Sequence, residues 1–350
     1  TGQDLNWFWN QWYYGSGQPI LDINYDYANG KERIIVNQVQ SSGKIFKLPT
    51  SIDVYTSGAN KKRYKVWLQN PSDTFYFSSA QKPSLVNIDA DKVLLCEKND
   101  HKSTDEFEQQ YKYAGNYLDR REALEYFAKN KLSNVALGLD DKYWGLRLLT
   151  LQFLEQSKGY SIPSVLSVIE KMATADPSKK VQAKAIEMLA KMNSQKYLPV
   201  FEKYVNDSSY SVAGASLEGL AMLEPAKAYT LAKKYSSDAL GKLGAVVASA
   251  FYKNGAEEDF KFLLNYYSNQ PASQDKIMSS VAFGNYLASL KNADDVRKGV
   301  DEIMKFRNQI PAQYHSYIDP TFKNAFSKIS QRQRANGNAD LAAYIDGLLK

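Results

Sequence analysis

Histidine, cysteine and paired carboxylates are the side chains from which proton transfer, nucleophilic attack and metal binding are built, and this chain is sparing with the first two. It has two histidines, His101 and His315, and one cysteine, Cys96. His101 lies in Asn99-Asp100-His101-Lys102-Ser103, which reads as a solvated polar junction. His315 lies in Gln313-Tyr314-His315-Ser316-Tyr317, where it packs or caps. Neither an H-E-x-x-H helix nor a cysteine pair occurs, so no transition-metal site is expected from this chain alone. Cys96 follows Val93-Leu94-Leu95, and the run reads as a buried strand in which the thiol packs. There is no G-x-S-x-G nucleophile elbow, and neither phosphate-binding glycine pattern is present.

Carboxylate pairs need separate treatment, because glycoside hydrolysis uses little else. Glu257-Glu258-Asp259 and Asp294-Asp295 open helices, where negative charge complements the helix dipole. Asp22 and Asp26 share one face of a strand, its solvent side. The residues therefore nominate no catalytic, cofactor-binding or metal-ligating side chain. The aromatic cluster Trp7, Trp9, Trp12, Tyr13 and Tyr14 could stack sugars, but its helical spacing favours packing.

The elements that carry these residues fall into three regions. Residues 4–14 form a short amphipathic helix with Asp4 as its N-cap. Leu5, Phe8, Trp9 and Trp12 stand at i, i+3, i+4 and i+7, so four large apolar groups share one face and require a neighbour. Gly15-Ser16-Gly17-Gln18-Pro19 ends the helix.

Residues 19–100 alternate with period two. Strands are expected at 20–27, 33–39, 46–55, 63–69, 74–77, 85–88 and 93–96, separated by turn residues such as Ala28-Asn29-Gly30 and Asn70-Pro71-Ser72. Seven short strands so spaced predict an antiparallel β-sandwich. Pro49 places an edge or a bulge in the third strand. Lys61-Lys62-Arg63 marks a charged hairpin tip or strand edge.

From about residue 105 the chain is helical, and it repeats. Asp176, Val181, Ala185 and Leu189 recur as Asp207, Val212, Ser216 and Leu220, and again as Asp238, Leu243, Val247 and Phe251, with an earlier copy at Asp141, Leu146, Thr150 and Leu154. In this pattern Asp caps a helix, the small residue admits a close neighbour and the apolar pair faces the next layer. A fixed period of this kind predicts an α-solenoid of the HEAT or armadillo sort.

Composition excludes several classes. Hydrophobic residues make up 44% and charged residues 23% of the 350, which is the balance of a folded globular chain. No stretch approaches the roughly 18 apolar residues of a membrane span. The net charge of +6 comes from 44 basic and 38 acidic residues interspersed on the same helix faces, so the clustered basic footprint of a nucleic-acid binder is missing. Thr1-Gly2-Gln3-Asp4 lacks the basic start and apolar core of a signal peptide. A composition rich in Tyr, Lys and Asn is in keeping with a periplasmic or secreted bacterial protein.

One resemblance orders these parts. Asp4-Leu5-Asn6-Trp7-Phe8-Trp9-Asn10-Gln11-Trp12, followed by Gly17-Gln18-Pro19-Ile20-Leu21-Asp22-Ile23, resembles the end of the catalytic domain in the aminopeptidase N family of zinc metallopeptidases. In that family an F-x-x-W helix leads through G-x-P into a β-sandwich, which a large HEAT-like domain follows. The resemblance implies that residues 1–17 are the last helix of a catalytic domain, 18–102 the sandwich and 103–350 the solenoid. It also implies that the zinc ligands, the G-x-M-E-N segment and the transition-state tyrosine lie upstream, so that zinc belongs to the parent protein. The partners implied are that catalytic domain and peptide substrates, with the helical domain limiting access. A free-standing HEAT-repeat scaffold that binds a protein or peptide is the competing reading.

Overall fold

A computed structural model of the chain describes residue 2, residues 4–237 and residues 239–348. It shows a β domain followed by an α-solenoid, and the chain divides into two compact units, Thr1–Gly159 and Tyr160–Lys350.

The first unit opens with helix α1 (Asn6–Trp12), then β1 (Ile20–Ala28), β2 (Lys31–Gln38), β3 (Leu48–Ser57), β4 (Asn60–Leu68), β5 (Ser72–Ser78), β6 (Leu85–Ile88) and β7 (Glu97–Asp100). A four-stranded sheet has the order β5-β2-β1-β7 and a three-stranded sheet the order β4-β3-β6. Their inner faces meet in a core of Leu21, Ile23, Ile34, Val36, Phe46, Ile52, Leu68 and Ile88. The β1–β2 hairpin turns on Asn29 and Gly30, both at positive φ (51° and 70°). This backbone matches the twist of the paired strands and suits Asn-Gly.

Two expectations are corrected here. The sandwich is not wholly antiparallel, because β7 pairs with β1 in parallel, Ile20 opposite Glu97 and Ile23 opposite Asp100. The seventh strand is also not 93–96. The Asp89 carboxylate accepts the backbone N–H groups of Val93 (3.0 Å) and Leu94 (3.2 Å), which ties that run into a turn, and the ladder starts only at Glu97. Val93 and Leu95 are exposed, whereas Leu94 and Cys96 pack against the core. Pro49 lies where β3 pairs only with β4, since β6 meets β3 only over Ile52–Tyr55. Lys61 and Arg63 stand on the edge strand β4 and hold the buried Asp53 carboxylate, each at 2.6 Å.

The first unit ends with α2 (Thr104–Gln109), α3 (Tyr117–Lys129) and α4 (Trp144–Gln156). The second contains α5 (Pro163–Ala175), α6 (Lys179–Lys191), α7 (Leu198–Tyr204), α8 (Tyr210–Leu223), α9 (Pro225–Tyr235), α10 (Gly241–Asn254), α11 (Phe260–Asn269), α12 (Gln274–Ser289), α13 (Ala293–Gln309), α14 (His315–Ala335) and α15 (Ala339–Gly347). Helices α6, α8 and α10 stack side by side, as do α12 and α14. Every apolar or small position of the repeat is buried, from Leu146 and Thr150 to Val247 and Phe251.

The repeat aspartates act differently from the expected cap. Asp141, Asp176 and Asp207 each sit three residues before the first helical residue, not next to it. Their carboxylates accept the N–H two residues on, at Tyr143 (2.8 Å), Ser178 (2.8 Å) and Ser209 (2.9 Å), forming a turn that aims the chain into the helix. Asp238 lies outside the described residues. Helices α8 and α10 approach closely at Gly214, where a Cβ would stand 2.8 Å from the Leu243 nitrogen. In α12 the equivalent positions hold Lys276, Ser280 and Gly284. Lys276 is buried, donates to the carbonyls of Ser268 (3.2 Å) and Gln270 (2.9 Å), and so closes the end of α11.

Candidate functional site

Helix α1 has seven residues, too few to persist alone in water. Asp4 is not its N-cap, which is Leu5. The Asp4 carboxylate accepts instead from the Asn6 N–H at 2.8 Å. What holds the helix is Gln11, whose buried amide donates to the Lys47 carbonyl (3.1 Å) and accepts the Lys47 N–H (2.7 Å), as a paired strand would. Lys44 donates to the Gln11 carbonyl at 3.0 Å and satisfies the helix end. Trp12 rests on Phe46, with centroids 5.5 Å apart, and Trp7 meets Trp67 edge-on at 5.4 Å.

This anchoring uses one side of α1 and leaves the other open. Leu5, Phe8 and Trp9 are 37%, 41% and 48% exposed, and the still more exposed Tyr13 and Tyr14 continue the surface beyond Trp9. Of the four-residue stripe read from the spacing, only Trp12 is engaged by the sandwich. A contiguous apolar patch held on a fixed support is what a protein–protein contact requires. The clamp by Gln11 and the role of Trp7 were not legible beforehand, since their partners lie about 36 and 60 residues away.

The remaining chemistry-bearing residues are distributed, and the structure gives most of them a local partner. His101 bonds the Asp22 carboxylate at 2.7 Å and holds that carboxyl below its usual range. His315, at the start of α14, bonds the Ile310 carbonyl at 2.7 Å. Burial pushes the Cys96 thiol up to about 11, so little thiolate is present at neutral pH. Asp26 pairs with Arg33, Glu258 with Lys233, and Asp259 accepts from the Tyr229 hydroxyl at 2.7 Å. Asp294 and Asp295 stand in the first turn of α13, where Asn292 caps their N–H groups. Among the described residues no group of three or more His, Cys, Asp or Glu side chains converges as a metal site requires.

A buried ionic lattice in the first unit went unnoticed in the sequence. Lys92, on the turn before β7, reaches Asp119 (2.7 Å) and Glu122 (3.1 Å) on α3. Lys98 takes the other Glu122 oxygen, and Asn87 donates to Asp119 at 2.9 Å. Burial opposes ionisation of Glu122, but the Lys98 and Lys92 ammonium groups outweigh it and hold the carboxyl at about 2. The lattice fastens α3 to the sandwich.

Comparison with known proteins places part of this architecture. Residues 166–250 match the family model of HEAT repeats. No curated protein sequence matches the chain. Among solved structures, the fold is similar to the crystal structure of Legionella pneumophila aminopeptidase A in complex with aspartic acid, at 14% identity and a TM-score of 0.40. That alignment covers 98% of this chain and 50% of the other, so the chain spans about half the length of that structure. Among the described residues no helix is long and apolar enough to cross a membrane.

Proposed function

We propose that this chain is the non-catalytic C-terminal part of a zinc-dependent aminopeptidase, in which α1 docks the catalytic domain and the solenoid acts as lid and access filter for peptide substrates. The exposed face of α1 carries the reading. Leu5, Phe8 and Trp9 form an apolar surface on a helix that Gln11 and Trp12 already fix to the sandwich. The motif resemblance over residues 4–23 and the order of sandwich then HEAT repeats support the same assignment. In this reading the metal and the peptide-bond chemistry belong to the catalytic domain.

The gene tests this. A reading frame that continues upstream of Thr1 into an H-E-x-x-H motif is expected, and a frame without one overturns the reading. The chain by itself is expected to bind no stoichiometric zinc and to leave aminoacyl reporter substrates intact. Chelator-sensitive hydrolysis that persists through repurification would contradict it.

A second reading, a HEAT-repeat scaffold, is favoured by one observation in the second unit. A groove of about 530 Å³ lies along α8 and α10, lined by Met222, Ala245, Val246 and Lys253 among others. Saturable binding of a peptide there by a protein lacking any zinc domain would select it.

A further inference from the structure

Helices α12 and α14 meet at Gly284, where a Cβ would stand 3.0 Å from that of Ala325. One stripe of each helix also lines an open groove of about 580 Å³. Asn285, Ala288 and Ser289 come from α12, and Lys328, Gln331 and Arg332 from α14, each set spaced as neighbours on a helix surface. Among the described residues no carboxylate lines the groove, so its charge is that of Lys328 and Arg332.

Arginine is engaged everywhere else in the described chain. Arg33, Arg63, Arg120, Arg121, Arg307 and Arg334 meet carboxylates, Arg147 bonds the Asp141 carbonyl, and Arg297 lies over the Tyr344 ring. The Arg332 guanidinium has no such partner among the described residues, and neither has the Lys328 ammonium one turn before it. Cations four residues apart on a helix repel each other, so this pair weakens α14. The dipole at the end of α14 favours a cation, but Arg334 in the same turn already supplies one. Across the groove the Asn285 side-chain amide is also without a hydrogen-bond partner among the described residues.

We propose that this groove binds the phosphate of a small organic phosphomonoester. Two cations without counter-ions match the two charges of that group, whereas a carboxylate would leave one cation unneutralised. The guanidinium offers a planar fork to two phosphate oxygens and the ammonium a point charge to the third. The Asn285 amide is a further donor. Ala288, in the same α12 stripe, gives the organic part of the ester an apolar surface to rest on.

The test titrates the isotope-labelled full chain with phenyl phosphate, phenyl sulfate and inorganic phosphate, and follows the backbone amides of α12 and α14. Salt is held at about 0.15 M to screen diffuse attraction, and the pH at about 8, where both phosphates are dianions. Phenyl sulfate keeps the shape and the three terminal oxygens but carries one charge. Phenyl phosphate is expected to give saturable shifts around Lys328 and Arg332, with phenyl sulfate binding about tenfold more weakly. Inorganic phosphate, lacking the organic part, is expected to bind about threefold more weakly than the ester. Arg332→Lys keeps the charge and loses the fork, and is expected to weaken the ester about fivefold without moving the melting temperature. The proposal is overturned if no saturable shift appears up to the solubility limit of phenyl phosphate, or if phenyl sulfate binds as tightly. It is equally overturned if inorganic phosphate matches the ester, or if Arg332→Lys leaves affinity unaltered.

Discussion

The two units bury different things. Inside the second, the Asp, Glu, Lys and Arg side chains buried among the described residues are Asp259 and Lys276, and the other buried polar groups there are uncharged, such as Gln182 and Gln333. Inside the first, Glu32, Asp53, Lys102, Asp119, Arg120 and Asp141 are all buried. A solenoid can be generic, because each layer meets only the next and one apolar pattern serves every joint. A sandwich joined to helices has no repeating joint and must specify a single one. Here that joint is written in charge, and unpairing a buried charge costs far more than the pair itself contributes.

The largest effect expected is therefore in the first unit. Asp119→Ala leaves the Lys92 ammonium buried against one remaining carboxylate, and should lower stability by about 3–5 kcal/mol. Replacing both Lys92 and Asp119 by Met and Leu should recover most of that loss, as apolar substitutes for a buried pair do. In the second unit Leu220→Ala should cost about 3 kcal/mol through the cavity alone. Native-state hydrogen exchange at α3 and α8 reads the two effects separately. No rescue at Asp119 by the apolar pair would erase the distinction drawn between the units.

The same contrast explains what could be read beforehand. Period and spacing revealed the strands and the repeat because Val181, Val212 and Leu243 recur at one offset and all lie buried. Polar residues carry no such offset. Lys276 occupies the place where its counterparts are apolar, and only the carbonyls at the end of α11 reveal its purpose. Val93-Leu94-Leu95-Cys96 reads as a strand by composition, yet Asp89 claims its amides and the polar Glu97–Asp100 takes the ladder. Of the α1 surface, Leu5, Phe8, Trp9 and Trp12 were legible as a stripe. Which of them would remain uncovered depended on Gln11 and Lys47, 36 residues apart.

Glu32 sharpens the comparison through pH. It sits on β2 with 1% exposure, and one of its carboxyl oxygens has no donor. Burial, reinforced by the Glu106 carboxylate, raises it to about 7. A carboxyl raised in the folded state holds its proton longer there than in the unfolded chain. Its contribution is therefore complete below the unfolded value near 4.5 and is lost as pH rises through about 7. Glu32→Gln should leave stability unchanged at pH 4 and raise it by about 2–3 kcal/mol at pH 8. Denaturant titrations at the two pH values measure this, and a constant difference between variant and parent would remove Glu32 as its source.

Asp207 gives the smallest effect and, set beside Asp141, the closest control, because one motif position occurs in both units. Asp207 bonds the Ser209 N–H and the half-exposed Lys179 ammonium, at 2.9 Å and 2.6 Å. Asp141 makes the same turn but also takes the Arg120 guanidinium at 2.7 Å and the Tyr111 hydroxyl at 3.0 Å, all out of solvent reach of the carboxylate. Asp207→Ala should cost about 1 kcal/mol, the usual loss of a helix-start acceptor. Asp141→Ala should cost about 3 kcal/mol, because Arg120 stays buried without its counter-ion. Asn at each position keeps the turn and removes the charge, so Asp207→Asn should be nearly silent while Asp141→Asn retains most of the loss. If the two Asn variants behave alike under urea, the aspartates are turn formers in both units, and charge does not set the first unit apart at this position.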